Sequence, residues 1–184
     1  MFNFQSLTKA DDIRDFEIEG MSIGDSLLDF FSKDEIENFL NYDNYPSDMQ
    51  YRIAEYYNND FKMNIYDFMQ VYYKPKDKKY KLFALNGGLE CNKEKDCKKK
   101  FIEIKNDIQN TFSETKGLEV EKFKHPDDKS GESLVTLWRL NLDNGIIAIR
   151  YTIWSKEIDF SNNVNIEFLS NEVLKWVENS YGID

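Results

Sequence analysis

Histidine is almost missing from this chain of 184 residues: His125 is the only one. That removes histidine-rich metal sites and leaves any serine nucleophile with a single candidate base. Cysteine occurs twice, and the spacing Cys91-x5-Cys97 is neither a zinc pattern nor a C-x-x-C redox pair. No apolar run nears the roughly 20 residues that span a bilayer, so no transmembrane segment is expected. The chain opens Met1-Phe2-Asn3-Phe4-Gln5, without the basic and apolar regions of a signal peptide. As written it reads as cytoplasmic, or as a mature form whose export segment is replaced by Met1. The acidic first 40 residues contain no D-x-[DN]-x-[DN]-G calcium loop, so neither a metal nor a cofactor is expected.

Acidic residues are abundant, and the net charge is −10. It is uneven: residues 1–72 carry −10, residues 73–129 carry +4 and residues 130–184 carry −4. An acidic total argues against a nucleic-acid partner, because phosphate contacts need clustered positive charge. Within the basic middle, Lys74-Pro75-Lys76-Asp77-Lys78-Lys79 reads as a solvated turn, with an anionic surface as the other reading. Lysine (20) far outnumbers arginine (4) and asparagine is frequent (18), a skew that A/T-rich codons account for without invoking function.

The length suits one domain, residues 1–184, with 1–15 as an extended or partly ordered N-terminal segment. The pattern points to an α+β fold: an N-terminal helix pair, an antiparallel sheet of about five or six strands, a long amphipathic helix and a C-terminal helix. A short strand over 16–19 closes at Gly20. Helices are expected over 24–31 and 33–41, the second opened by a Ser32–Glu35 capping box. Residues 42–50 read as a loop and 51–57 as a strand. Strands over 66–73 and 80–89 form a hairpin. Phe101, Ile104, Ile108 and Phe112 recur at helical spacing over 93–114. Strands 134–142 and 146–154 flank Asp143-Asn144-Gly145, where Asn-Gly tolerates positive φ. Val164, Ile166 and Phe168 alternate in another strand. Ser170 then caps a helix with Val173, Leu174 and Val177 on one face. A Cys91–Cys97 disulfide would staple the hairpin's end to the long helix, and would imply an oxidising compartment.

Three stretches resemble chemistry. Gly20-Met21-Ser22-Ile23-Gly24 spells a nucleophile elbow, but only 19 residues precede it, too few for the parallel strands an α/β-hydrolase needs. Gly24-Asp25-Ser26-Leu27 spells the signature of the GDSL hydrolases. Their histidine lies near the C-terminus with an aspartate three residues before it, whereas position 122 is Lys. No catalytic residue is therefore assigned; Ser22, Ser26 and His125 remain candidates only. Finally, His125, Asp128, Ser130 and Ser133 concentrate polar groups before a strand. They form a candidate ligand loop, or an ordinary surface loop.

The run from Asp11 to Leu28, with Gly20-Met21-Ser22-Ile23-Gly24-Asp25-Ser26-Leu27-Leu28 at its heart, resembles the opening of an uncharacterised protein group from A/T-rich marine bacteria. Phe68-Met69-Gln70-Val71-Tyr72 and the stretch from His125 to Ser133 are also similar to that group. Its members usually carry a signal peptide, so the resemblance implies a periplasmic or secreted protein. It carries no activity and no functional residues. Gly20-Met21-Ser22 before a helix pair is also similar to small periplasmic lipoprotein domains with helices on an antiparallel sheet. The expectation is a non-enzymatic exported domain that binds a protein or small-molecule ligand. The alternatives are a GDSL-type serine hydrolase using Ser26 and a structural component of the cell envelope.

Overall fold

Alternating apolar residues dominate the C-terminal third, and they pair into the broad antiparallel sheet that organises the chain. The computed structural model describes residues 12–38, 40–41, 50–57, 62–112, 117–118 and 120–181. In chain order these form α1 (Lys33–Asn38), β1 (Leu40–Asn41), β2 (Arg52–Tyr57), β3 (Phe68–Tyr73), β4 (Leu82–Glu90) and α2 (Glu94–Thr111). There follow β5 (Glu121–Lys124), β6 (Leu134–Leu142), β7 (Gly145–Ile153), β8 (Asn163–Ser170) and α3 (Asn171–Tyr181). The sheet order is β1-β2-β3-β4-β8-β7-β6-β5, and every neighbouring pair is antiparallel. The chain walks from β1 to β4, crosses through α2 to the far edge, and walks back from β5 to β8.

The α+β class and the antiparallel sheet are as the sequence pattern indicates, while the strand count is higher. Seven strands have four residues or more, and the two-residue β1 makes an eighth at one edge. β5 is the addition the pattern hides. Its sequence Glu-Lys-Phe-Lys is exposed throughout and pairs only with β6, so it shows no buried stripe.

The N-terminal helix pair is not formed as expected. Residues 16–19 make no strand: Ile18 and Met21 exchange backbone hydrogen bonds (2.9 and 3.0 Å) across a tight turn. Ile13–Asp15 form a 3-10 turn, with Ile13 buried. The helix expected over 24–31 shrinks to the 3-10 turn Leu27–Asp29. Two causes are visible. Gly24 has φ +104°, outside the helical region. The backbone of 24–27 also bonds to the start of β4: Gly24 N donates to Leu82 O, Leu82 N to Asp25 O and Leu27 N to Tyr80 O, at 2.9 to 3.1 Å. The second helix, expected over 33–41, survives only as α1 (Lys33–Asn38), because Leu40–Asn41 pair with β2 as strand β1. Its capping box is reciprocal: Ser32 N donates to the Glu35 carboxylate (2.8 Å) and Glu35 N to the Ser32 hydroxyl (3.3 Å). The expected loop over 42–50 lies outside the described residues except for Gln50, and so does the end of the long helix at 113–114.

Both later helices form, on opposite faces of the sheet. Cys97, Phe101, Ile104 and Ile108 of α2 are buried against the face that carries Ile147, Ile149, Val164 and Ile166. At roughly 1.5–3 kcal/mol per buried apolar side chain, this stripe outweighs the helix's weak intrinsic tendency to form. α3 covers the other face, where Val173 and Trp176 pack on Tyr51 and Ala84. Trp176 anchors it, alongside the expected Val173, while Leu174 and Val177 are only half-buried. Lys74 is not simply solvated. It pairs with Glu172 and lies 4.6 Å from the Phe83 ring centroid, tying the β3–β4 turn to α3.

The β6–β7 hairpin forms where expected, for a different reason. Its turn residues are Asp143 and Asn144, neither of which has positive φ. Gly145 is required by close packing instead, since a Cβ there would stand 2.4 Å from Leu169 O and 2.8 Å from the Ile13 side chain. Asn144 also accepts from Ile13 N at 3.0 Å, fastening the N-terminal segment to the hairpin.

Cys91 and Cys97 form a disulfide, with Cα atoms 5.5 Å apart, between the end of β4 and the first turns of α2. Closing so short a loop stabilises by about 2 kcal/mol in the chain-entropy model. Paired Cys→Ser variants should therefore unfold in urea with about 2 kcal/mol less stability, and reductant should shift only the wild type.

Glu19 is a second fastening. Its carboxylate accepts from the backbone N–H groups of Asn64, Ile65 and Tyr66 at 2.8 to 3.1 Å. Burial opposes its ionisation, but these donors win and hold its pKa below the usual 4.5. The unfolded chain thus takes up this proton first as the pH falls. Glu19's contribution is full above pH 4.5 and is lost as the pH drops through the lower folded value. Glu19→Gln should cost about 1–2 kcal/mol at pH 7, and the two proteins should converge in stability at low pH.

Candidate functional site

The serines of the two hydrolase-like motifs hold backbone together. The Ser26 hydroxyl donates to Lys79 O (2.6 Å) and accepts from Leu28 N (3.2 Å), capping the Leu27–Asp29 turn. The Ser22 hydroxyl donates to Phe16 O at 3.0 Å. His125 joins neither. Ser26 bridges to Lys81 beside β4, whereas His125 follows β5, four strand spacings or about 19 Å across the sheet.

The structure does bring His125, Asp128, Ser130 and Ser133 together, in a loop that satisfies itself. One Asp128 oxygen accepts from the Ser130 N–H (2.9 Å) and hydroxyl (2.7 Å), and the other accepts from Ser133 N (2.7 Å). The Ser133 and Ser130 hydroxyls, with these N–H groups, hold the Asp128 carboxyl well below the usual carboxylate range. Ser133 is fully buried and accepts from Ser155 N at 2.9 Å. His125 packs at a tilt against Trp154, with centroids 4.3 Å apart, and its Nδ1 accepts from Asp127 N at 3.3 Å. Burial, then the charge of Arg150, lowers its pKa from 6.5, against the opposing pull of Asp127 and Asp128.

Three other places hold unusual polar groups. On the α3 side of the sheet, Glu55, Gln70 and Asn86 stand in one cross-strand row. Asn86 Nδ2 donates to Gln70 Oε1 (2.9 Å) and Gln70 Nε2 to Glu55 (3.3 Å). The acceptor-only carboxylate sets the direction of this chain and leaves Asn86 Oδ1 as its unpaired end. Asn165 Oδ1 on β8 is likewise unpaired. Both oxygens are closed off from solvent, so no ligand reaches them as the side chains stand. A second place is a cleft of about 300 Å³ lined by Glu37, Arg52, Tyr73, Pro75 and Tyr80. Its polar groups are already engaged: the Tyr80 hydroxyl donates to Glu37 (2.7 Å) and Arg52 bonds the Tyr73 hydroxyl.

The third is a cleft of about 280 Å³ on the α2 side, between the first turn of α2 and the strands β5, β6 and β7. α2 packs on β7 and β8, and the cleft opens where its cover stops. Register sets its lining. Lys122, Thr136 and Tyr151 stand in one cross-strand row, and Lys124, Leu134 and Ile153 in the next. The Tyr151 ring is clamped edge-on against Phe101 of α2, with centroids 5.2 Å apart. Thr136 and Tyr151 are each only 6 % exposed, yet both line the cleft. Neither hydroxyl, and neither lysine ammonium, has a hydrogen-bond or ion-pair partner among the described residues. Glu94 lies at the rim, and the Lys124 ammonium reaches over Gly131 of the His125 loop. The loop therefore borders the cleft without supplying its unpaired groups.

Of these lining residues, Tyr151 and Ile153 continue the alternation of Ile147 and Ile149, which marks them as inward-facing but not as part of a cleft. The alternation Lys122-Phe123-Lys124 marks a two-sided edge strand. Among the described residues no group of His, Cys, Asp and Glu could hold a metal ion, and no helix is long and apolar enough to cross a membrane. The chain matches no protein-family model, no curated protein and no solved structure. No substrate or partner therefore comes to it by likeness.

Because the folded pKa of His125 lies below 6.5, the ring is neutral at pH 7. Protonation favours the unfolded chain, and stability falls as the pH drops from 6.5 toward the folded value. The NMR titration midpoint of His125 should lie under 6.5; a midpoint above it would mean that the aspartates, not burial, govern the ring.

Proposed function

We propose that this protein is a non-enzymatic exported domain that binds a small ligand in the cleft between α2 and strands β5–β7. One observation carries the reading: the hydroxyls of two nearly buried residues, Thr136 and Tyr151, and two lysines face an open cavity with no partners among the described residues. Polar groups in a folded interior are normally paired, and unpaired ones converging on a cavity mark a binding site. The apolar walls Leu134 and Ile153 give such a ligand surface to bury. The Cys91–Cys97 disulfide supports export, since such bonds persist in oxidising compartments. Export is also what the resemblance of the Asp11–Leu28 region implies.

The test is a fragment set of anionic, neutral and cationic members, followed by NMR on the full chain. Binding should move the Thr136, Tyr151 and Leu134 resonances, and the fragments should be recovered unchanged. Leu134→Trp, at a position 54 % exposed, should plug the cleft and abolish binding while changing stability by less than about 1 kcal/mol. Turnover of a bound fragment, or binding that survives the plug, would overturn the proposal.

A further inference from the structure

The geometry points to a ligand class: a monoanionic organic carboxylate with an apolar tail or ring of about eight carbons. This rests on the cleft being a binding site and goes on to say what it selects.

Charge sets the head group. Lys122 and Lys124 project from the same face of β5, and the cleft's lining contains one carboxylate, Glu94. Two cations against one anion leave about one positive charge uncompensated, which one carboxylate would neutralise. The hydroxyls of Thr136 and Tyr151 lie in the same row as Lys122. They offer neutral donors to a carboxylate oxygen, with the charge-assisted hydrogen bonds that such an acceptor forms. An ammonium would instead face two lysines, and an uncharged alcohol would leave them unmatched.

The second row sets the tail. Leu134 and Ile153 stand beside Lys124 and supply the apolar floor. The cleft's volume of about 280 Å³ bounds the size of ligand it can hold. At about 30 Å³ per heavy-atom group, the volume of one water, it holds roughly nine or ten such groups. Octanoate and phenylacetate have that size. Leu134 is 54 % exposed at the cleft's edge, so the tail would cover apolar surface now facing water.

The experiment compares octanoate, octanol and octylamine as probes on the full chain by NMR and calorimetric titration. Octanoate should bind at least ten-fold more tightly than either other probe, and raising sodium chloride should weaken octanoate alone. The double variant Lys122→Gln/Lys124→Gln should lose at least ten-fold for octanoate and little for octanol. Tyr151→Phe should lose several-fold with an unchanged fold. The control Lys78→Gln/Lys175→Gln, in the β3–β4 turn and in α3 on the opposite face of the sheet, should bind as the wild type does. Octanol or octylamine binding as tightly as octanoate would overturn the ligand class and leave the cleft a binding site. So would silence from all three probes while other fragments move the cleft resonances. Silence from every fragment would overturn both.

Discussion

The pairing of β4 with β8 joins two halves of the chain that otherwise have separate antiparallel walks. Residues about 80 apart meet there in seven aligned pairs, from Ala84 opposite Leu169 to Glu90 opposite Asn163. Bringing such distant segments together has a large loop-closure cost, so the contacts on both faces must repay it. They do so unevenly. On one face Leu85 and Phe168 stand opposite each other under the shared core, and on the other Ala84 and Leu169 lie under α3. The disulfide sits just past this seam, and Cys91 N also donates to Asn162 O at 2.7 Å, immediately before β8. The staple and the seam therefore constrain the same junction, where the chain leaves the sheet to cross over.

That crossover decides where a cleft can exist. α2 starts at the end of β4 and must reach the far edge of the sheet before β5 begins. It lies over β8 at the seam and its neighbour β7, and leaves the edge strands less covered. A half-covered sheet exposes whatever side chains its inward positions carry. Where the cover stops these are Lys122 and Lys124 of β5, Leu134 and Thr136 of β6 and Tyr151 and Ile153 of β7, rather than the Ile147, Ile149, Val164 and Ile166 that lie under α2. The cleft thus follows from topology, and its chemistry follows from side chains placed by register.

This explains which features could be read from the sequence. Elements with a single buried stripe, such as Phe101, Ile104 and Ile108 of α2 or Val164, Ile166 and Phe168 of β8, announce their period and their inward face. The Cys91–Cys97 staple is equally legible, because its short spacing leaves a local bridge as the natural reading. The N-terminal helix signal at 24–31 fails because residues 24–27 find backbone partners at the start of β4, a long-range competition that propensity does not include. β5 is hidden by its exposure on both sides. The cleft is hidden more deeply, since Lys122, Thr136 and Tyr151 become neighbours only after three strands align.

The polar motifs that looked like chemistry teach the complementary point. Ser22, Ser26, Asp128 and Ser133 all spend their hydrogen-bonding capacity on nearby backbone. A small domain with long loops has many backbone N–H and C=O groups outside its ladders, and short polar side chains are the usual way to satisfy them. Dense polar clusters in the sequence therefore mark loops that need fastening. The informative residues are those with unspent capacity in a place that a ligand can reach. Asn86 Oδ1 has the first property without the second, being closed off from solvent. The engaged cleft at Glu37 and Tyr80 has the second without the first. At Thr136 and Tyr151 the two coincide, beside lysines whose charge runs against the chain's net −10. At physiological salt that net charge is screened over about 8 Å, so the local lysines, not the distant acids, set the potential that a ligand meets in the cleft.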